Sequence, residues 1–136
     1  MSFLLDTSTC VALLRPKPSL VRARADRALS RRERMVLSSV VLHELWYGVY
    51  KSERVAENTR KLQSFLAGLD EIYQFDETDA HTAGEIRAQL ESVGNVIGAY
   101  DTLIAAQCLN RDFILVTSNV SEFRRVKGLR WVDWAK

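Results

Sequence analysis

The stretch GAYDTLIAAQCLNRDFILVTSN, residues 98–119, decides the fold that this chain is expected to adopt. It predicts a short apolar helix from Ala99 to about Asn110, followed by a strand from Phe113 to Thr117. The strand is almost wholly apolar, which is typical of a parallel strand that is covered on both faces. The segment therefore predicts an α/β fold with a central sheet.

Asp101 lies in the first turn of that predicted helix, on the stripe that faces the core. The residues three, four and seven positions after it are Ile104, Ala105 and Cys108. An ionised carboxylate on such a stripe is unfavourable unless it is paired or binds a metal. An acid in the first turn can also merely complement the helix dipole, and the local pattern leaves this alternative open.

The composition is that of one globular domain spanning residues 1–136. Hydrophobic residues make up 47% of the chain and charged residues 26%, so disorder is not expected. No apolar run approaches the roughly 20 residues that a membrane-spanning helix needs. No signal-peptide pattern follows Met1, and Cys10 and Cys108 have the apolar surroundings of buried free thiols. We therefore expect a cytoplasmic protein with no membrane contact.

Short apolar strands alternate with helical patterns along the whole chain. The predicted strands cover 3–6, 35–38, 71–75, 113–117 and 129–132, and the predicted helices cover 9–14, 19–30, 38–50, 53–69, 78–93 and 99–110. This alternation predicts a three-layer αβα sandwich, in which a mainly parallel sheet of four to five short strands carries helices on both faces. In the helix over 19–30, the predicted inward residues are Leu20, Ala23, Ala28 and Leu29.

Further acids lie where predicted strands end, or on the helix that follows. Asp6 ends the first strand, Glu44 is the only acid of the helical segment SSVVLHELWYGVY, and Glu122 follows the strand that ends at Thr117. Because the carboxyl ends of parallel strands meet at one edge of a sheet, we expect these acids to converge with Asp101. The alternatives are that Asp6 only caps a helix and that Glu122 is a surface acid beside arginines.

The predicted cluster of carboxylates needs a cation, because crowded like charges destabilise a fold. Oxygen ligands suit Mg²⁺ or Mn²⁺, which also bind phosphate. A metal at Asp6, Glu44 and Asp101 could activate a water molecule and stabilise the charge that develops on a phosphodiester. The prediction is hydrolysis of a nucleic-acid backbone, with Asp6 and Asp101 as direct ligands. Glu44 then positions or deprotonates water, and Glu122 acts through a water molecule.

Other sites that such a sheet can host lack their motifs in this chain. No GxGxxG or Walker pattern is present, which argues against a dinucleotide site or a P-loop. Asp6 is followed by Thr7 and Ser8, whereas a haloacid-type phosphatase needs a second Asp at position 8. No serine nucleophile elbow is present either.

Five blocks of the sequence occur in the order and spacing of a known family. They are LLDTS, SSVVLHELWYG, IGAYDTLIAA, LVTSNVSEF and GLRWVDW. In these blocks the chain resembles the PIN-domain ribonucleases of the VapC toxin type. The resemblance implies a Mg²⁺-dependent endoribonuclease that is expressed with a small antitoxin. It further implies that the antitoxin blocks the cleft and represses the shared operon, and that the hetero-oligomer of the two proteins binds operator DNA.

The resemblance also extends to individual site residues. The family's three central acids match Asp6, Glu44 and Asp101. Ser8 stands where the family usually has Asn, and a serine can still donate a hydrogen bond. Asn119 stands where many relatives carry Asp, while Glu122 offers a carboxylate one turn later. The residues expected in supporting roles are Thr7, Ser8, Thr117 and Asn119. The alternative function is a PIN fold that has lost efficient catalysis and acts as a binding module.

The net charge of +2 is spread unevenly along the chain. Residues 1–34 carry eight basic groups against three acids, whereas residues 70–91 carry seven acids against one arginine. We predict that Arg22, Arg24 and Arg27 hold the RNA backbone at the edge of the cleft, because the acidic site itself repels phosphate. A solvated helix face is the alternative.

An aromatic flank accompanies Glu44 on its helix, formed by Trp46, Tyr47 and Tyr50. Core packing is the first expectation for it, and a surface for a partner is the second. His43 lies about 100° around the helix from Glu44 and is expected to be structural or on the surface. The apolar helical surface is large for so small a chain, so we also expect a homodimer.

Overall fold

A fully parallel five-stranded sheet forms the centre of the protein, whose computed structural model describes residues 1–136. Its strands are β1 (Ser2–Leu5), β2 (Arg34–Ser38), β3 (Glu71–Tyr73), β4 (Ile114–Val116) and β5 (Trp131–Val132). Their order across the sheet is β3-β2-β1-β4-β5. The strand order reverses between β1 and β4, and ligands bind at such reversals, outside the carboxyl ends of the strands.

Seven helices complete the fold. They are α1 (Thr7–Leu14), α2 (Leu20–Ser30), α3 (Ser39–Tyr50), α4 (Val55–Ala67), α5 (Glu77–Ser92), α6 (Ala99–Arg111) and α7 (Val120–Phe123). The predicted αβα architecture is confirmed, and the sheet is parallel throughout. None of the helices combines the length and the apolar character that a membrane crossing requires.

The core lies on both sides of the three central strands. Leu4 and Leu5 of β1 and Val116 of β4 are fully buried, as expected for strands that helices cover on both faces. The stripe that follows Asp101 on α6 is also buried, as its spacing predicts; Ile104 and Ala105 are at most 1% exposed. The position of Asp101 is therefore fixed by the buried stripe of α6 that follows it.

The prediction for the inward face of α2 is wrong, except at Ala28. Leu20 and Leu29 are about half exposed, whereas Val21, Ala25 and Ala28 are buried. These three residues are spaced four and three positions apart and form one stripe, so the small side chains contact the core and the leucines are turned outward.

The strand and helix ends differ from the prediction by a few residues. The edge strands β3 and β5 are shorter than predicted, at three and two residues. Helix α1 begins at Thr7 instead of Thr9, because the Asp6 side chain accepts the Thr9 N–H and caps the helix. Asp6 therefore lies between the end of β1 and the start of α1, at the centre of the carboxyl edge.

Candidate active site

Asp6 is buried at the carboxyl edge of the sheet and is held by three donors. Its Oδ1 accepts the Ser8 hydroxyl at 2.7 Å and the Thr9 N–H at 3.1 Å, while Oδ2 accepts the Thr117 hydroxyl. The Thr117 oxygen in turn accepts the Asn119 N–H at 2.9 Å. Asp6 thus caps α1, and the same contacts fix its carboxylate toward the end of β4.

Glu44 lies at the middle of α3, half-buried. Its Oε1 accepts the hydroxyl of Thr7 at 2.9 Å, which ties α3 to the first turn of α1. Its Oε2 has no hydrogen-bond partner in the protein. One oxygen of Glu44 is therefore positioned by the fold, and the other is free for a ligand or water.

Asp101 and Glu122 lie against each other. The Asn119 side-chain amide donates to Asp101 Oδ2 at 3.1 Å and to Glu122 Oε2 at 2.8 Å, so the two carboxyl groups meet at one amide. Helix α7 thus places Glu122 half-buried in the cluster, with Arg125 close enough to help lower its pKa. Asn119, expected in a supporting role, bridges two acids.

The pKa values of the two acids shift in opposite directions. Burial raises the pKa of Asp101 to about 7, and the hydrogen bond and negative charge of Glu122 add to the effect of burial, as do the charges of Asp6 and Glu44. The hydrogen bond from Asp101 lowers the pKa of Glu122, and the Asn119 amide contributes. Of the two acids, Asp101 therefore holds a proton more readily. None of the four acids forms a salt bridge.

Gly98, the residue before α6, keeps the space beside this pair open. A Cβ atom at this position would lie 3.2 Å from Asp101 Oδ2 and 3.7 Å from Glu122 Oε2. The Gly98 N–H also helps to lower the pKa of Glu122. No sequence pattern predicts a site role for Gly98, and its only signal is the position three residues before Asp101.

The comparisons with known proteins identify the family of the chain. The family model described as PIN domain matches residues 3–129. The chain belongs to the PIN domain family. This PIN domain is 37% identical over 135 residues to the tRNA(fMet)-specific endonuclease VapC of Shigella flexneri, with 99% of each chain covered. It is also 37% identical over 136 residues to Ribonuclease VapC2 of Rickettsia felis, with 100% of each chain covered.

Solved structures of VapBC complexes are similar to this PIN domain in fold. VapBC2 from Rickettsia felis, bound to a DNA fragment from its promoter, matches with a TM-score of 0.90 at 34% identity; the match covers 98% of this chain and 99% of that chain. DNA-bound VapBC from Salmonella typhimurium matches with a TM-score of 0.89 at 36% identity, and 98% of each chain is covered. The resemblance to the VapC type is thereby confirmed.

The donor set of this PIN domain fits Mg²⁺ or Mn²⁺ in chemistry and charge. All the side-chain donors are oxygens, and Gly98 leaves room where two of them meet. In their present positions, no three His, Cys, Asp or Glu side chains form a cluster that could hold one ion. A bound cation would favour the ionised form of Asp101, because a carboxylate must be deprotonated to act as a ligand.

The three arginines predicted to bind RNA differ in their contacts. Arg22 donates to two backbone carbonyls at the end of α1, and Arg24 donates to the carbonyl of Asp133 at 2.9 Å. Arg27 is exposed, and its side chain has no hydrogen bond or ion pair. Two of the guanidinium groups thus already stabilise the fold, and the RNA-binding role of all three stays a prediction.

The aromatic flank of α3 does not pack in the core as first expected. Tyr47 and Tyr50 are 61% and 70% exposed, and only Trp46 is half-buried. Helix α3 instead buries the apolar residues of its opposite face. The second expectation, a surface available to a partner, therefore matches the positions of the two tyrosines.

Proposed function

We propose that this PIN domain is a Mg²⁺-dependent endoribonuclease, for which Mn²⁺ can substitute, and the toxin of a toxin–antitoxin pair. The observation that carries the proposal is the group of four carboxylates at the ends of β1 and β4, with no salt bridge to neutralise them. They belong to Asp6, Glu44, Asp101 and Glu122. The similar VapC proteins are named as ribonucleases and as a tRNA-specific endonuclease, which supports RNA as the substrate.

Each carboxylate has a distinct proposed role. Asp6 and Asp101 would hold the ion directly, and Glu122 would hold it through a water molecule. The bound ion supplies positive charge to the phosphodiester and makes a water molecule more acidic. Glu44, oriented by Thr7 and with one oxygen free, would accept a proton from the attacking water as the water oxygen bonds to phosphorus. The P–O bond to the leaving ribose oxygen breaks, and that oxygen takes a proton from solvent water.

The supporting residues hold these acids in place. Ser8 and Thr117 donate to the two oxygens of Asp6, so its carboxylate stays fixed while the ion binds. Asn119 keeps Asp101 and Glu122 on one side of the cleft. Such fixed neighbours lower the reorganisation that a metal centre needs during the reaction.

The proposed partner is a small antitoxin whose tail enters the cleft. An acidic site beside exposed Tyr47 and Tyr50 is complementary to a peptide that carries a basic side chain next to apolar anchors. The solved VapBC complexes described above, some of them DNA-bound, support an antitoxin and an assembly on operator DNA.

We further propose a homodimer in solution. The apolar groove between α5 and α6 has a volume of about 440 Å³, and Val96, which lines it, is 56% exposed. Apolar surface of this kind is typical of contacts between protein chains. Light scattering that finds a strict monomer at high concentration would contradict the dimer.

The test of the catalytic proposal uses purified, antitoxin-free protein and total RNA. We expect cleavage in Mg²⁺ or Mn²⁺, none in EDTA, and a severe loss in Glu44→Gln. Glu53→Gln is the matched control, because Glu53 is an exposed acid without an ion pair. Equal cleavage in EDTA would refute the proposal. RNA binding without any cleavage would favour the binding-module alternative.

A further inference from the structure

Two exposed aromatic side chains contact each other beside the carboxylate cluster. His43 directly precedes Glu44 on α3, and Tyr100 directly precedes Asp101 on α6. The centroids of their rings are 5.5 Å apart, and the ring planes are inclined at 58°. The pair thus spans the two helices that supply two of the four acids.

Neither core packing nor hydrogen bonding accounts for this pair. Tyr100 is 48% exposed and His43 is exposed, and neither side chain makes a hydrogen bond within the protein. The proposed hydrolysis uses neither residue. A tyrosine hydroxyl and an imidazole in such positions are available to a ligand.

We infer that the His43–Tyr100 pair is a stacking platform for a base of the RNA next to the scissile phosphodiester. This inference rests on the proposed ribonuclease function. Unpaired bases stack on aromatic side chains, largely without regard to base identity. The carboxylates repel the RNA backbone, so a contact that does not depend on charge can hold the strand at this site.

The position of the pair favours an RNA base over a peptide side chain. Both rings belong to residues directly adjacent in sequence to an acid of the site, so a nucleotide whose phosphate reaches the carboxylates has its base nearby. Tyr100 also borders the apolar groove between α5 and α6. A contact between two copies of the chain at Tyr100 is therefore the competing outcome of the test.

The test compares Tyr100→Ala, Tyr100→Phe and His43→Ala on a short single-stranded RNA that spans a site cleaved by the wild-type protein. We expect Tyr100→Ala to raise KM by about 5- to 150-fold, the range for loss of one stacked base. Tyr100→Phe keeps the ring and is expected to remain close to wild type. Trp131→Ala is the matched control, because Trp131 is a partly exposed aromatic on the edge strand β5, away from the acids.

Abasic substitutions along the same RNA test the contact by removing the base instead of the tyrosine ring. One abasic position next to the cleavage site should weaken binding of the wild-type protein, as measured by fluorescence anisotropy in EDTA. The same substitution should have no further effect in Tyr100→Ala, because the stacking contact is already lost. If Tyr100→Ala does not fold, Tyr100→Leu and the abasic series on the wild-type protein replace it.

Two outcomes would overturn the inference. The first is unchanged KM and RNA affinity in Tyr100→Ala with no effect of any abasic position. The second is dissociation of a dimer in sedimentation experiments with RNA affinity intact, which assigns the pair to a contact between copies. Either result leaves the proposed ribonuclease in place if the wild type still cleaves RNA. Conversely, if the protein binds RNA through Tyr100 but does not cleave it, the stacking contact stands and the proposed ribonuclease activity is refuted.

Discussion

Asp79 and Asp101 both lie in the first turn of a helix, yet the charged groups around them have opposite signs. Asp79 of α5 is fully buried, and its carboxylate accepts bonds from Arg111 at 2.6 and 3.0 Å and from Asn110 at 2.9 Å. Burial acts to raise the pKa of Asp79, but hydrogen bonds from Arg111, from the backbone at Asp76 and from Asn110 outweigh it and lower the pKa to about 2.

Asp101 of α6 has the opposite environment. Its neighbours are Glu122, Asp6 and Glu44, and no guanidinium or ammonium group pairs with it. The fold thus pairs Asp79, which joins α5 to α6, with a guanidinium group. It forms no salt bridge with any of the four carboxylates of the site. Uncompensated charge of this kind is typical of functional sites, because a ligand supplies what the protein does not.

The largest effect is expected from Asp101→Asn, which keeps the shape of the side chain and removes its charge. RNA cleavage should fall by at least about 100-fold, the loss typical for removal of one group that stabilises a transition state. The melting temperature without metal at pH 8 should stay the same or rise, because repulsion is relieved.

Asp79→Asn should behave in the opposite way. This variant loses its pairing with Arg111, so its melting temperature should fall while the folded fraction still cleaves RNA. Equal cleavage by Asp101→Asn and wild type would contradict the assignment of the two acids.

Next in size is the effect of Arg111→Met on stability. This change leaves Asp79 buried and unpaired, and should lower the free energy of unfolding by about 3 kcal/mol. That value is the lower end for a buried pair, because 19% of the Arg111 side chain is exposed. Urea unfolding of the single and double variants with Asp79→Asn measures the coupling. A loss no greater than that of an exposed pair such as Arg87–Glu91 would show that the Asp79 pair is not structural.

Glu122→Gln is expected to have a smaller effect on catalysis than Asp6→Asn. The Mg²⁺ concentration for half-maximal cleavage should rise, because Glu122 acts through water and is still bonded by Asn119. A loss equal to that of Asp6→Asn would make Glu122 a direct ligand. No change in either the rate or the metal requirement would exclude it from the site.

The smallest effect is expected in the pH dependence of metal-free stability. Native Asp101 keeps a proton up to about pH 7 that the unfolded chain releases near pH 4, so stability should decline as pH rises through that interval. Asp79 has the opposite sign, and its contribution should be lost as pH falls from about 4 to about 2. Thermal melts of wild type and Asp101→Asn in EDTA measure the first decline, which should vanish in the variant.

Much of the fold and the centre of the site could be predicted because both depend on local patterns. Apolar strands alternating with helices predict a parallel sheet, and acids at strand ends then converge at one edge. Asp6, Glu44 and Asp101 were found in this way, since each is an acid in an otherwise apolar segment.

The remaining features depend on contacts between distant segments. Asp79 belongs to a run of acids that resembles a solvated face, and its partner Arg111 is 32 residues away on another helix. The same holds for the bridge from Asn119 to Glu122 and Asp101, and for the space that Gly98 leaves. The prediction for the inward face of α2 is wrong because two sets of residues on this helix have helical spacing, one with leucines and one with smaller side chains. Only the packing against the rest of the fold determines which set is buried.

The proposed binding of a divalent cation by the site carboxylates can be tested without RNA. The most direct measurement is the melting temperature at pH 8 as Mg²⁺ is added, since a ligand of the native state alone raises it by mass action. We predict a saturable rise for the wild-type protein and for Asp26→Asn, whose acid is exposed on α2, but none for Asp101→Asn. An equal rise in all three proteins, or no rise in the wild type, would refute the proposed cation site.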